Sequence, residues 1–240
     1  MLHDCEPYLS TEPIRQPIPM RDQRCHWGSV YSRSADHFGA EPSDLCLNAI
    51  ERLRREGAQT VIELGCGQGR DTMELLRQGF DVIAIDYCPE GCVRLGEKAR
   101  PLGLEARLKV IERDIREGIP LPDGSVDACF SHMFFTMHLS TEELATIFKD
   151  TLRVLRPGGL NIYSVRNHND PNFEKGRHIA EDIYEWNEFV VHYFSEGKVR
   201  ALAEGYEVVS IEGFTEGALP KVLYDVTLRR PRAAGEAPPR

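Results

Sequence analysis

Glu63, Gly65, Gly67 and Gly69 stand together in the run Val61-Ile62-Glu63-Leu64-Gly65-Cys66-Gly67-Gln68-Gly69-Arg70-Asp71. A short apolar strand enters three alternating glycines and leaves into a helix. Glycine suits backbone that must turn with positive φ and admit a ligand without a Cβ in the way. The helix start behind such a loop favours negative charge, a ligand carboxylate for example. Further on, the strand Asp81-Val82-Ile83-Ala84-Ile85 ends in Asp86. Nucleotide-binding sheets place an acid about 20 residues after the glycine loop, where it accepts hydrogen bonds from ribose hydroxyls. A third strand, Leu108-Lys109-Val110-Ile111-Glu112, is followed by Asp114-Ile115. Asp114 suits an adenine amino group, the next backbone N–H a ring nitrogen, and Ile115 with Leu139 the two faces of a base.

The spacing separates this loop from two better-known phosphate binders. A dinucleotide fingerprint needs G-x-G-x-x-G, but its third glycine falls on Arg70 and the glycine arrives one residue early, at Gly69. A P-loop needs Gly-Lys-Ser/Thr, which does not follow.

The elements that must position these residues alternate. Apolar runs at 60–64, 81–86, 108–112, 125–131 and 160–165 read as strands, and 42–57, 71–78, 91–99 and 141–155 as helices. Such alternation gives βαβ crossovers and a mostly parallel sheet covered on both faces. After a helix at 195–204, the strands 206–211 and 222–229 lie too close in sequence for a helix between them and read as an antiparallel hairpin at the sheet edge. Ligands in such sheets sit beyond the carboxyl ends of the strands.

These motifs resemble the class I S-adenosylmethionine (SAM)-dependent methyltransferases. Glu63-x-Gly65-x-Gly67-x-Gly69 is similar to that superfamily's first motif, Asp86 to its ribose-binding acid and Asp114 to its adenine-side acid. Leu121-Pro122-Asp123-Gly124-Ser125-Val126-Asp127 and Leu152-Arg153-Val154-Leu155-Arg156-Pro157-Gly158-Gly159 resemble its approaches to the fourth and fifth strands. The resemblance runs over about residues 27–230. It implies a Rossmann-like α/β fold: a seven-stranded, mostly parallel sheet with helices on both faces and an antiparallel C-terminal edge hairpin. The implied cofactor is SAM, held by the glycine loop with Glu63, by Asp86 and its neighbour Tyr87, by Asp114 and Ile115, and by Ser131. An N-terminal aromatic segment containing Tyr31 would cover the methionine end.

The methyl acceptor is less legible. It belongs beyond the fourth and fifth strands, where His132 and His138 are candidate bases among Met133, Phe134, Phe135 and Met137, and where Arg166, His168 and His192 are candidate acceptor contacts. The stretch 194–207 is similar to tellurite-resistance-type methyltransferases, which act on soft acceptors, so a small molecule with a sulfur or metalloid nucleophile is the first expectation. A protein or tRNA acceptor, or SAM binding without turnover, is the alternative. The Asp/Asn-Pro-Pro-aromatic motif of adenine-amine methylation is not found after the fourth strand.

The chain has 240 residues, 41% hydrophobic, enough for one sizeable core, and carries a net charge of −9, which disfavours nucleic acid as a partner. Seven dispersed cysteines and a start without a signal peptide read as cytoplasmic. Cys88 and Cys92 lack the second ligand pair of a zinc site, so no metal is expected. No apolar run reaches the length of a membrane helix. The expected domains are an N-terminal arm at 1–24, one methyltransferase domain at 25–230 with a lid or insertion near 167–194, and a disordered tail at 231–240.

Overall fold

A computed structural model describes residues 20–186, 189–217 and 221–232. Helix α1 (Met20–Arg33) and helix α2 (Asp44–Arg55) precede strand β1 (Thr60–Leu64). Then follow α3 (Arg70–Arg77), β2 (Asp81–Asp86), α4 (Pro89–Ala99), β3 (Leu108–Glu112), β4 (Val126–His132), α5 (Thr141–Val154) and β5 (Leu155–Arg166). Three short strands come next: β6 (Arg177–Ala180), β7 (Ile183–Trp186) and β8 (Phe189–His192). Helix α6 (Glu196–Leu202) and the hairpin β9 (Glu207–Glu216) and β10 (Lys221–Arg229) complete the described chain.

The main sheet has the order β3-β2-β1-β4-β5-β10-β9. Its first five strands pair in parallel, while β10 runs antiparallel to both β5 and β9. The resemblance implied this α/β sheet and edge hairpin, and the structure has both. The order in which strands are added reverses between the parallel neighbours β1 and β4, so the carboxyl ends of these two strands flank the switch point where ligands bind in open α/β sheets.

Each sheet face buries its own apolar cluster. One gathers Leu45, Leu53, Leu75, Leu76 and Leu95 from α2, α3 and α4. The other gathers Leu144, Phe148, Val199 and Leu202 from α5 and α6 with Tyr163 from β5. Strand β1 is buried from Val61 to Leu64, as a two-faced parallel strand must be. The capping box Ser140–Glu143 starts α5, and Ser43 and Ser195 cap α2 and α6 by accepting from Cys46 N and Lys198 N.

Two boundaries need correction, and one segment gains detail. The arm boundary expected at residue 24 falls inside α1, whose residues Trp27 and Tyr31 stack one turn apart with ring centroids at 5.6 Å. The secondary structure of the expected lid or insertion near 167–194 was not read from the sequence: it holds its own antiparallel sheet, β6-β7-β8. The edge strand expected to end at Ile211 continues to Glu216, because Gly213 sits inside the ladder opposite Tyr224. The expected arm up to residue 19 and the tail from residue 233 lie outside the described residues.

Candidate functional site

One cavity of about 770 Å³ lies across the carboxyl ends of the parallel strands, roofed by α1 and by the small sheet. That volume is within the roughly 300–1,000 Å³ of ligand pockets. Glu63, Gly65, Gly67, Asp86, Tyr87, Asp114, Ile115 and Tyr31 line it, together with His132 and Arg166. The strands therefore bring together most of the residues singled out from the sequence.

Gly65, Gly67 and Gly69 all have left-handed backbone, with φ of 73°, 52° and 81°. A side chain at Gly65 would strike Phe134, since an added Cβ lies 2.5 Å from a ring carbon, and one at Gly67 lies 2.7 Å from the Tyr31 hydroxyl. The loop is thus closed over by an aromatic ring on each side. Asp86 fixes it from below: Oδ2 accepts the Gly67 N–H and Oδ1 the Cys88 N–H, both at 2.8 Å. Each carboxylate oxygen keeps a second lone pair for a ligand donor. Burial pushes the Asp86 carboxyl up from its usual range, against the pull of these N–H groups.

Asp114 accepts from the Arg116 side chain and from Arg116 N, and that guanidinium holds its carboxyl below the usual range. Glu63 is 3% exposed and accepts from the Thr72 hydroxyl. Burial pushes its carboxyl up to about 8, so it is largely protonated at neutral pH.

These features fit SAM. A buried acid at the end of β2 suits a ribose diol. The N–H groups of Gly65, Cys66, Gly67 and Gly69 are taken by Ile85 O, Asp86 and Cys66 O, so what the loop offers a carboxylate is close backbone approach beside the positive end of α3. Ile115 and Leu139, both in the lining, suit the faces of a purine.

At the acceptor end, His132 is held at both ring nitrogens. Ser164 Oγ lies 2.9 Å from Nδ1, and Glu216 Oε2 lies 3.0 Å from Nε2. Ser164 Oγ also accepts the Met133 N–H at 3.1 Å. Met133 itself has φ of 57°, a costly conformation for a non-glycine residue and one typical of functional sites. Glu216 and Lys221 are cross-strand partners at the end of the β9–β10 hairpin, and both line the cavity. The walls here include Trp27, Phe38, Trp186, Phe189 and Tyr193.

Five sequence candidates sit elsewhere or have other partners. Ser131 is fully buried, is not among the lining residues and has no hydrogen bond partner at Oγ among the described residues. His138 lies outside the lining, with Nδ1 buried and its pKa driven down by burial. His168 is outside too, stacked on Phe173 with centroids 4.2 Å apart. His192 is fully buried: Nδ1 donates to Leu139 O at 2.6 Å and Nε2 accepts from Lys198 Nζ at 2.7 Å. Burial, with the Lys198 charge adding, holds this imidazole neutral. Arg166 does line the cavity, but Asp170 takes its guanidinium at 2.6 and 2.9 Å.

Sequence reasoning missed Gln68 and Glu216. Gln68 donates to Tyr31 O and Ser34 O and accepts from His37 N, so the glycine loop itself anchors the end of α1. No sequence signal marks Gln68, which occupies a free position between two glycines. Glu216 was hidden by the early end assigned to its strand.

Residues 61–159 match the family model described as a methyltransferase domain. The chain is 32% identical over 166 residues to an uncharacterised methyltransferase of Mycobacterium tuberculosis, covering 68% of this chain and 60% of that protein. It is 28% identical to the trans-aconitate 2-methyltransferase of an Azoarcus species, over 56% of this chain and 50% of that one. The chain thus spans between half and two thirds of the length of these relatives. Among solved structures it is similar to the 1,6-didemethyltoxoflavin-N1-methyltransferase of Burkholderia thailandensis, which was solved with 1,6-didemethyltoxoflavin and S-adenosylhomocysteine bound. That likeness has a TM-score of 0.68 at 20% identity and covers 91% and 94% of the two chains.

Proposed function

We propose that this chain, a member of the class I SAM-dependent methyltransferases whose residues 61–159 match the methyltransferase domain, transfers a methyl group to a small molecule held in the same cavity. The carrying observation is the single cavity that joins the glycine loop and Asp86 at one end to the His132–Glu216 pair at the other. When bound, SAM supplies an electrophilic methyl group on a sulfonium.

The protein's own part is to hold, align and exclude water. Asp86 and the glycine loop fix the cofactor's sugar and carboxylate. Ile115 and Leu139 orient its base. Tyr31, buried against Asp86, closes the loop from above, and its hydroxyl stays protonated because burial and the Asp86 charge raise its pKa. The aromatic walls favour an acceptor small enough to be enclosed, in keeping with the 1,6-didemethyltoxoflavin bound in the similar Burkholderia structure.

Among the described residues no helix is long and apolar enough to cross a membrane. A cytoplasmic site of action and a small-molecule partner remain part of this reading. An anionic thiolate acceptor suits it less well, because its charge would meet the Glu216 carboxylate.

The test is calorimetric titration of SAM into the purified chain, followed by transfer from methyl-labelled SAM with S-adenosylhomocysteine measured in step. Asp86→Ala should weaken SAM binding at least tenfold. Unchanged affinity in that variant would place the cofactor elsewhere.

A further inference from the structure

We infer that Glu216 is the catalytic base of the acceptor site, that His132 and Ser164 position it, and that the acceptor is a small molecule whose methylated nitrogen or oxygen carries a proton. This rests on the methyl-transfer reading above and deepens it.

The three side chains form an ordered relay. Ser164 Oγ accepts the Met133 N–H and lies 2.9 Å from His132 Nδ1. Glu216 Oε2, a carboxylate oxygen, can only accept, so His132 Nε2 carries a proton and donates it there. The imidazole is thereby committed at both nitrogens and is not itself the free base. Glu216 Oε1 has no hydrogen bond partner among the described residues, and Glu216 lines the cavity. Ser164 is fully buried on β5, and the Glu216 side chain is 15% exposed. An oriented carboxylate at a mostly enclosed cavity end is where an acceptor proton can be received.

The groups facing Glu216 are His132 on β4, Arg70 on α3 and Lys221 on β10. Despite burial, their hydrogen bond and charges hold its carboxyl below the usual range, so it is ionised and ready to accept at neutral pH. An anionic thiolate or an acceptor carboxylate would be repelled there and has no proton to give.

In the transfer, the acceptor's lone pair forms the bond to the methyl carbon as the carbon–sulfur bond breaks, leaving its electron pair on sulfur. The acceptor's proton passes to Glu216 Oε1 and from there to solvent. No oxidant or further reactant is needed.

The experiment uses the full chain, methyl-labelled SAM and a fixed panel: benzylamine, aniline, imidazole, phenol and catechol against dithiothreitol, arsenite and citrate. Label should enter at least one of the first five and none of the last three. Glu216→Gln should lower kcat about 10²–10⁴-fold, the range for general base catalysis, with SAM affinity unchanged. His132→Phe removes the donor to Glu216, so the acid limb of its kcat–pH profile should move to higher pH. A merely structural role for His132 would lower kcat equally at all pH values. Label in dithiothreitol, arsenite or citrate, or in none of the first five compounds, overturns the inference. So does a Glu216→Gln variant with the wild-type rate. Failure to bind SAM would instead remove the methyl-transfer reading itself.

Discussion

Ser43 and Asp71 grip each other across the starts of two helices. Ser43 N donates to Asp71 Oδ1 at 2.7 Å, and Ser43 Oγ donates to Asp71 Oδ2 at 2.9 Å while capping Cys46 N. Asp71 also occupies the first turn of α3, where the helix dipole favours its charge. It is 4% exposed, so its removal leaves two buried donors without partners. Asp71→Ala should cost about 2–4 kcal/mol. In a chain of this size that lowers the thermal midpoint by roughly 5–15 °C. Ser43→Ala, which keeps the backbone donor, should cost about 1–2 kcal/mol. Equal midpoints for Asp71→Ala and wild type in a thermal melt would show that the pair contributes nothing.

Gly91 lies in helix α4, yet it controls the glycine loop. An added Cβ there would stand 2.8 Å from the Gly67 carbonyl oxygen and 2.9 Å from its carbon. The obstacle is backbone, so no side chain can swing aside. Alanine is otherwise the better helix former by about 1 kcal/mol, which isolates the steric effect. Gly91→Ala should displace the loop and weaken SAM binding at least tenfold. Gly96→Ala, in the same helix with nothing within 4 Å, should leave affinity unchanged. Calorimetric titration of both variants checks this, and equal affinities would mean that the loop does not depend on this contact.

The parallel half of the fold was legible because its signals are local. Buried strands such as Val61–Leu64 read as continuous apolar runs, and the glycine loop and the acids Asp86 and Asp114 sit at fixed places beside them. The acceptor end was not legible in the same way. Glu216 reaches His132 across 84 residues of sequence, and only the hairpin's register brings them together. His192 looked like a site residue by type, but it is committed to Leu139 O and Lys198 in the interior. Residue type suggests what a histidine can do, and burial and partners decide whether it is available. Helix α1 escaped notice for a related reason. Its anchoring comes from Gln68 and from aromatic contacts with the small sheet, neither of which shows as periodicity.

Trp27 joins the two roofs of the cavity. Its ring stacks on Tyr31, and it meets Phe38 at 5.9 Å and Phe189 of β8 at 6.1 Å. Aromatic contacts of this kind contribute about 0.5–1.5 kcal/mol each beyond their buried area. Trp27→Ala should loosen α1 from the sheet without unfolding the domain. The expected result is faster tryptic cleavage at Arg24 and Arg33, with the thermal midpoint lowered by only about 2–6 °C. Cleavage at the wild-type rate would show that the Trp27 contacts do not hold the helix, leaving it to Gln68 and the Arg24–Glu112 pair.

Glu63 gives the apo protein a pH dependence of definite sign. Burial raises its carboxyl to about 8, while an unfolded chain would titrate near the ordinary value of 4.5. Below pH 4.5 both states are protonated, and the stability associated with the neutral carboxyl is fully present. Between 4.5 and 8 the unfolded state has lost the proton that the folded state still holds, so stability falls as pH rises. Above 8 both are ionised, and the loss, on the order of 3–5 kcal/mol, is complete. Glu63→Gln replaces the neutral acid by a neutral amide whose carbonyl still accepts from Thr72. The variant should therefore lose less stability than wild type from pH 5 to pH 8 and be the more stable of the two at pH 8. Urea unfolding across that range, without cofactor, measures it. Parallel stability–pH curves for the two proteins would mean that Glu63 is already ionised in the folded state at neutral pH. Its acidity would then have to be compensated by a charge near the loop, with Arg70 the first group to test.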